Sequence, residues 1–217
     1  MAQNFVICGI TGVGKSFLEL ELHSKYQFYA WPKYTDRSEQ RAEELKAPNI
    51  VFLSKEDFEK FRPHFAYLYT FLGNNYGWLR DDLAKNNDKN VVLSITLESL
   101  ADFMVKVPGF IPVMLHIEPE NFGLIEYRIK KREGYDQLHP TQQKLIDEKI
   151  QERIIVSRHE LDQFPFYQKT VLKYGGQVFS IKDDSTIFSE VIPFILNNRE
   201  KIRSRSFTDI LGKYKRR

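Results

Sequence analysis

The residues best suited to chemistry form one short stretch near the start of the chain. Residues 9–16 are GITGVGKS, which satisfies the pattern G-x-x-x-x-G-K-[ST] at every fixed position. Glycines let backbone N–H groups surround phosphate oxygens, while the lysine reaches the β- and γ-phosphates and the serine hydroxyl ligates Mg²⁺. We therefore predict a nucleoside triphosphate site made of Gly9, Thr11, Gly12, Val13, Gly14, Lys15, Ser16 and Phe17, with Ser16 as the metal ligand.

The segments around this loop are those that would position it. An apolar run at residues 4–8 has the length of a buried parallel strand, and Leu18 and Leu22 recur at helical spacing after Ser16. Strand, glycine turn and helix start thus follow in the order that a phosphate-binding loop requires. The alternative, a chance glycine-rich turn, does not account for this context.

Composition indicates a soluble globular protein. The chain has 217 residues, enough for one large domain, with 42% hydrophobic and 28% charged residues. No apolar run is long enough to span a membrane, and the N-terminus lacks a basic segment followed by an apolar one. The single cysteine, Cys8, cannot form an internal disulfide. We expect a cytoplasmic protein without a membrane association.

Apolar strand candidates alternate with helical segments along the chain. The predicted strands are Phe5–Cys8, Asn49–Leu53, Val91–Ile95, Val113–Ile117 and Val178–Ile181. The predicted helices run approximately over Lys15–Lys25, Lys55–Phe61, Leu97–Val105, Gly123–Arg132, Thr141–Leu161 and Ser185–Asn197. Such alternation favours a parallel sheet covered by helices on both faces, an α/β fold of three layers.

Two regions interrupt the alternation, and the end of the chain differs in charge. Residues 26–77 mix short strands with charges and aromatics, and residues 128–160 are strongly charged and helical. We predict one domain over residues 1–200, with a core of 1–25, 78–127 and 161–200, an acceptor-binding insertion at 26–77 and a helical lid at 128–160. Residues 201–217 carry seven Lys/Arg against one Asp. This basic tail allows nucleic-acid contact, but a solvated terminus is the favoured interpretation.

Several further segments resemble guanylate kinases in order and approximate spacing. They are residues 34–37 (YTDR) with Arg41, residues 52–54 (FLS) with Phe58, residues 73–77 (GNNYG), residues 128–132 (RIKKR), and Arg153 followed by Glu160-Leu161. The resemblance covers nearly everything from Asn4 to Asn197. It implies a P-loop kinase fold and transfer of the ATP γ-phosphate to a nucleoside monophosphate, with ATP and Mg²⁺ bound.

The resemblance also implies roles for single residues. Arg37, Arg41 and Tyr76 match family residues that bind the phosphate of the acceptor, and guanidinium groups recognise phosphate bidentately. Arg128, Arg132 and Arg153 match arginines of the lid and adjacent core, where positive charge stabilises the transferring phosphoryl group. With Lys15 they form the predicted catalytic set. Each of the five arginines has a structural alternative, namely that it is an ordinary exposed charge. For Tyr76 the alternative is packing.

The departures from the family fall on its guanine-reading positions. Tyr67, Trp78, Ser94 and Thr96 stand where acidic or small polar residues are expected, so the recognition of guanine N1–H and N2 is altered. Tyr67 and Trp78 could stack on a base, with core packing as an equal alternative. Thr96 completes the predicted acceptor site. The strand also lacks the usual magnesium-assisting aspartate, for which Glu98, Asp36 and Glu44 are candidates.

Three functions are consistent with these patterns. The favoured one is a guanylate-kinase-like enzyme acting on small nucleotides, with the acceptor base open. The second is a P-loop kinase acting on another acceptor, such as a modified base or a nucleic-acid end. The third is a non-catalytic binding module of the same fold, against which the complete loop with Lys15 and Ser16 argues. The oligomeric state is not predicted.

Overall fold

A computed structural model describes residues 3–38, 49–135 and 138–198. The strands are β1 (Asn4–Gly9), β2 (Tyr29–Ala30), β3 (Lys33–Thr35), β4 (Ile50–Phe52), β5 (Phe65–Phe71), β6 (Asn74–Leu79), β7 (Val91–Ile95), β8 (Phe110–His116) and β9 (Gln177–Ser180). The helices are α1 (Lys15–Tyr26), α2 (Lys55–Phe61), α3 (Arg80–Lys85), α4 (Leu97–Lys106), α5 (Phe122–Arg132), α6 (Pro140–Asp162), α7 (Phe164–Lys173) and α8 (Asp184–Thr186). A π-helical segment, Ile187–Val191, and a last helix at 192–198 continue α8.

The central sheet has the strand order β2-β7-β1-β8-β9, and every neighbouring pair in it is parallel. Four consecutive side chains of β1, from Phe5 to Cys8, are fully buried. Because successive side chains of a strand point to opposite faces, both faces of the sheet are covered. Helix α1 packs on β1, β2 and β7, and α7 packs on β8 and β9. The predicted α/β fold with a parallel sheet core is confirmed.

A second, mixed sheet lies beside the first and has the order β4-β3-β6-β5. The predicted strand at Asn49–Leu53 belongs here as β4, parallel to β3, and does not extend the central sheet. The hairpin of β5 and β6 was not predicted as two strands. Its two-residue turn consists of Leu72 (φ 47°) and Gly73 (φ 71°), and positive φ at both positions suits the twist of a hairpin.

The boundary predictions differ in how well they match the structure. Helix α2 and strand β7 have the predicted limits, and α1, α4, α5 and α6 differ by one residue at one or both ends. Helix α7 was missed, and Pro165 lies in its first turn, where a missing backbone N–H costs nothing. Arg41, Glu44 and residues 201–217 lie outside the described residues. In the part of the chain that is described, no helix is both long and apolar enough to cross a membrane.

Candidate active site

The glycine loop connects the end of β1 to the start of α1, and two of its glycines are required by close packing. Gly9 has a φ of 152°, and a Cβ there would lie 2.4 Å from the carbonyl oxygen of Leu115 in β8. Gly12 has a φ of 84°, and a Cβ there would lie 3.3 Å from Ile125 Cγ2 of α5. The backbone is therefore held against both neighbours, and α1 begins directly after Gly14, so that the loop leads into a helix N-terminus as a phosphate site requires.

Lys15 is the first residue of α1, and its ammonium lies against the loop. Its Nζ donates to the carbonyl oxygens of Gly9 at 2.6 Å and Ile10 at 2.8 Å. Burial lowers the pKa of Lys15 to about 8, Glu160 acts in the opposite direction, and Lys33 lowers it further. An ammonium with this environment gains from a bound anion, because phosphate oxygens would compensate the charge that burial disfavours.

Glu160 is the acidic counterpart of Lys15 and was not predicted to have a role of its own. Its side chain is 1% exposed near the end of α6, and it accepts a hydrogen bond from the Leu97 backbone N–H at 3.3 Å. Burial raises the pKa of Glu160 to about 7, and the charge of Lys15 opposes this rise. A glutamate among the apolar positions of α6 is the signal that could have identified it.

A cavity of about 580 Å³ extends from the loop to the second sheet. Its walls include twelve of the predicted site residues: Thr11, Gly12, Gly14, Lys15, Ser16, Phe17, Arg37, Tyr76, Thr96, Arg128, Arg132 and Arg153. Gly9 and Val13 belong to the loop but lie behind the cavity wall, and the Val13 side chain is fully buried. The structure thus brings the loop, the helical arginines and the second sheet to one space.

The three helical arginines are each fixed by carbonyl or carboxylate oxygens at the cavity wall. Arg128 donates to Asp184 at 2.7 Å and approaches the Gly12 carbonyl at 3.4 Å. Arg153 pairs with Glu133, whose carboxylate also lies 3.5 Å from Arg132 Nε. Glu133 follows the RIKKR segment directly and was overlooked, although it joins α5 to α6 through Arg153. All three arginines line the cavity, and Arg128 approaches the loop directly.

Arg37, two residues after the end of β3, lines the cavity together with Tyr69 of β5 and Tyr76 of β6. Tyr69 and Tyr76 stack with their ring centroids 5.3 Å apart, and the Arg37 guanidinium lies 5.5 Å from the Phe52 ring centroid. Asp36 accepts from the Asn75 backbone N–H at 2.7 Å and from its side-chain amide at 2.6 Å. The Asp36 carboxylate thus holds the start of β6 in place. This structural role is an alternative to the predicted role of Asp36 at Mg²⁺.

The prediction that Tyr67 and Trp78 could stack on a base needs correction. Trp78 is fully buried and Tyr67 is 3% exposed, and neither lines the cavity. Tyr67 Oη donates to the Ser99 carbonyl at 3.0 Å, and burial raises its pKa. The two rings stack on each other with centroids 6.3 Å apart. Their side chains are part of the core between the second sheet and α4, so core packing describes both.

Thr96 and Ser94 are placed at the cavity, as their strand-end position suggests. Thr96 precedes α4, and its hydroxyl lies 2.9 Å from that of Ser99. Glu98 is exposed and does not line the cavity. Among the described residues no group of three or more His, Cys, Asp or Glu side chains could hold a metal ion.

Comparison with known proteins agrees with this architecture at the level of the fold. No protein-family model and no curated protein matches the chain. A guanylate kinase structure from Anaplasma phagocytophilum is 13% identical, with a TM-score of 0.57 over 91% of this chain and 87% of that one. A gluconokinase from Sinorhizobium meliloti is 14% identical, with a TM-score of 0.43 over 94% of this chain and 97% of that one. A shikimate kinase from Bacteroides thetaiotaomicron is 18% identical, with a TM-score of 0.40 over 88% of this chain and 95% of that one. The chain has the P-loop kinase fold.

Proposed function

We propose that the protein is an ATP-dependent phosphotransferase whose acceptor is a nucleoside or deoxynucleoside monophosphate. The observation that carries the proposal is that one cavity is lined by Lys15 and Ser16, by Arg37 and Tyr76, and by three helical arginines. A donor triphosphate on the loop and an acceptor phosphate at Arg37 would then lie in the same cavity. The similarity of fold to a guanylate kinase supports the same interpretation.

The chain's own residues fit the donor that the fold implies. The tightly packed glycines form a cradle without side chains, and Lys15 supplies an ammonium against it. Ser16 is the second residue of α1 and is exposed, and its hydroxyl suits a ligand of Mg²⁺. When bound, Mg²⁺ neutralises charge on the phosphates. Arg128, Arg132 and Arg153 then stabilise the negative charge on the transferring group, since little covalent chemistry falls to the protein.

A coupled assay with ATP and Mg²⁺ against each common ribo- and deoxyribonucleoside monophosphate tests this proposal. Turnover of at least one of them supports it. Absence of turnover with all of them, in protein shown by thermal shift to bind ATP, overturns it. The same preparation distinguishes the alternatives, because transfer of labelled phosphate to DNA or RNA ends identifies a polymer acceptor. A binding module would show neither transfer.

Replacing Glu160 by glutamine is expected to move the alkaline limit of ATP binding to lower pH. Glu160 raises the pKa of Lys15, so its loss lets Lys15 release its proton at lower pH, and the attraction for phosphate falls with that proton. Calorimetric titration of ATP between pH 7 and 9.5 measures the shift. Wild-type affinity should decline as pH rises through about 8, the pKa of Lys15.

Glu126→Gln is the matched control for this experiment. Glu126 accepts from Arg158 at 3.0 Å on the outer side of α5 and α6 and does not line the cavity. Its pH profile should coincide with that of the wild type. An unchanged or upward-shifted limit in the Glu160 variant contradicts the electrostatic role.

A further inference from the structure

The turn between β5 and β6 holds a leucine in a backbone conformation that leucine rarely adopts. Leu72 has a φ of 47°, and the next residue, Gly73, has a φ of 71°. A residue with a branched side chain is disfavoured in this left-handed region, and Asn, Asp or Gly is usual at the first position of such a turn. Strained backbone of this kind is often found where a side chain contacts a ligand. The presence of leucine at this position therefore needs a physical reason.

Side-chain hydrogen bonds hold the turn in this conformation. Asn74 Nδ2 donates to the Leu72 carbonyl oxygen at 2.8 Å. The side-chain oxygen of Asn75 accepts from Thr70 Oγ1 at 2.8 Å, and Asn75 donates to Asp36 through both its backbone and its side chain. These bonds join the turn to β5 and to the segment that follows β3. The surrounding structure therefore fixes the strained conformation, which is the condition for strain to persist in a folded protein.

The side chain of Leu72 belongs to the cavity wall. Leu72 and Phe71 are both half-buried, and both line the cavity. Tyr69 of the same strand lines the cavity and also packs against the hydrophobic core. Phe71 and Leu72 are not among the described apolar side chains that pack against this core. Packing in the core therefore does not account for a leucine in the turn.

The hairpin places Leu72 beside the residues proposed for the phosphate of the acceptor. Leu72 precedes β6 by two residues, and Tyr76 is the third residue of that strand, about 7 Å beyond its start. The hydrogen bonds between Asp36 and β6 bring the adjacent Arg37 to the same end of the hairpin. Leu72 therefore lies on the acceptor side of the cavity, near Arg37 and Tyr76.

An apolar side chain next to a phosphate site is limited in what it can contact. It forms no hydrogen bond with phosphate oxygens, and covering these oxygens without a partner is unfavourable. It can cover the carbon surface of a sugar or base, which gains free energy on leaving water. Ligand sites commonly combine such apolar walls with a few charged groups that fix the orientation of the ligand. Leu72 is therefore suited to the organic part of the acceptor.

We propose that Leu72 is a specificity-determining residue that contacts the nucleoside part of the acceptor, and that the strained turn is retained because it places this side chain in the cavity. Phe71 extends the same apolar surface. The inference rests on the proposed function, because it assigns a contact within the same acceptor site. A turn selected for stability alone would carry Asn at position 72. Substitution of Leu72 should therefore move stability and acceptor recognition in opposite directions.

Leu72→Asn tests both parts of the proposal. Because Asn tolerates the left-handed region, the melting temperature should rise by about 2–4 °C. Because the acceptor loses an apolar contact, its kcat/KM should fall by about tenfold, with the KM for ATP within about twofold of wild type. Thermal melting and steady-state assays with the monophosphate most active on the wild type measure the two effects. A melting temperature that does not rise, or an unchanged kcat/KM, overturns the proposal.

Gln27→Asn is the matched control for the relief of strain. Gln27 is the other non-glycine residue with a positive φ in the described part of the chain, at 59°, and it is exposed after α1 and does not line the cavity. Its replacement should raise the melting temperature and leave kcat/KM for the acceptor unchanged. A loss of kcat/KM equal to that of Leu72→Asn contradicts a contact by Leu72.

Leu72→Met is the conservative variant, because it keeps an apolar side chain of similar volume. It should recover most of the kcat/KM that Leu72→Asn loses. Equal losses in the two variants overturn the proposed contact. Leu72→Gly also removes the side chain without strain, so it supplies an independent test of acceptor recognition should Leu72→Asn fail to fold.

Binding measurements separate this proposal from the proposed function. Each common nucleoside monophosphate is titrated by calorimetry into the wild type and Leu72→Asn, in the presence of Mg²⁺ and a non-hydrolysable ATP analogue. Weaker binding by Leu72→Asn, without turnover by either protein, supports the role of Leu72 and overturns the phosphotransferase assignment. Turnover with equal acceptor affinity in the two proteins supports the phosphotransferase and overturns the role of Leu72. Absence of binding by every monophosphate overturns the role of Leu72.

Discussion

Lys15→Ala is expected to lower turnover by about 10²–10³-fold or more with the fold retained, because a charge that stabilises the transition state is removed. The Lys15 ammonium lies against the loop and donates to the carbonyl oxygens of Gly9 and Ile10. In phosphoryl transfer this group would stabilise the negative charge that develops on the β- and γ-phosphates. Steady-state assays give kcat, and thermal melting checks the fold.

Lys25→Ala is the matched control, since Lys25 lies in the last turn of the same helix. Its side chain is 60% exposed and pairs with Glu21 at 2.7 Å. This substitution removes a positive charge from α1 without touching the cavity, so activity should stay within about twofold of the wild type. Substantial turnover by Lys15→Ala, in folded protein, contradicts the role assigned to the loop.

The elements of the core were predictable because their sequence patterns are local. Phe5–Cys8 is a continuous apolar run and Val91–Ile95 is apolar except for Ser94, and both are strands of the parallel sheet. Ser54 caps α2 by accepting from the Asp57 backbone N–H, which agrees with the predicted start of that helix. The hairpin of β5 and β6 was harder, because its turn uses Leu72 at a positive φ, where Asn or Asp is usual.

The site residues that belong to a sequence motif were predictable. Those whose orientation depends on tertiary packing were harder to predict. The loop, Arg37 and the helical arginines reach one cavity from segments far apart in sequence. Tyr67 and Trp78 have the chemistry for stacking on a base, yet neighbouring aromatic rings enclose them. No local pattern distinguishes an aromatic ring that faces a ligand from one that faces another strand. Lys33 also lines the cavity but was not predicted, because the residue it donates to, Ser94, comes from another strand.

Arg153→Ala is expected to lower kcat by about 10²–10³-fold with a smaller change in KM, because its charge acts chiefly on the transition state. Arg153 reaches the cavity from α6 and is held by Glu133 of the segment after α5, with its side chain 15% exposed. A guanidinium in this position stabilises charge on the oxygens of the transferring group. Arg153→Lys should recover part of the loss, since it restores the charge without the planar fork.

Arg158→Ala distinguishes this catalytic role from the bridging of two helices. Arg158 lies on the same helix and also bridges to α5, through Glu126 at 3.0 Å, but it is 63% exposed and lies outside the cavity. If bridging α5 to α6 were what mattered, both variants would lose activity together. We expect Arg158→Ala to retain wild-type kcat and Arg153→Ala to lose it at comparable melting temperature. Equal kcat in the two variants contradicts a direct role for Arg153 and reduces it to a structural ion pair.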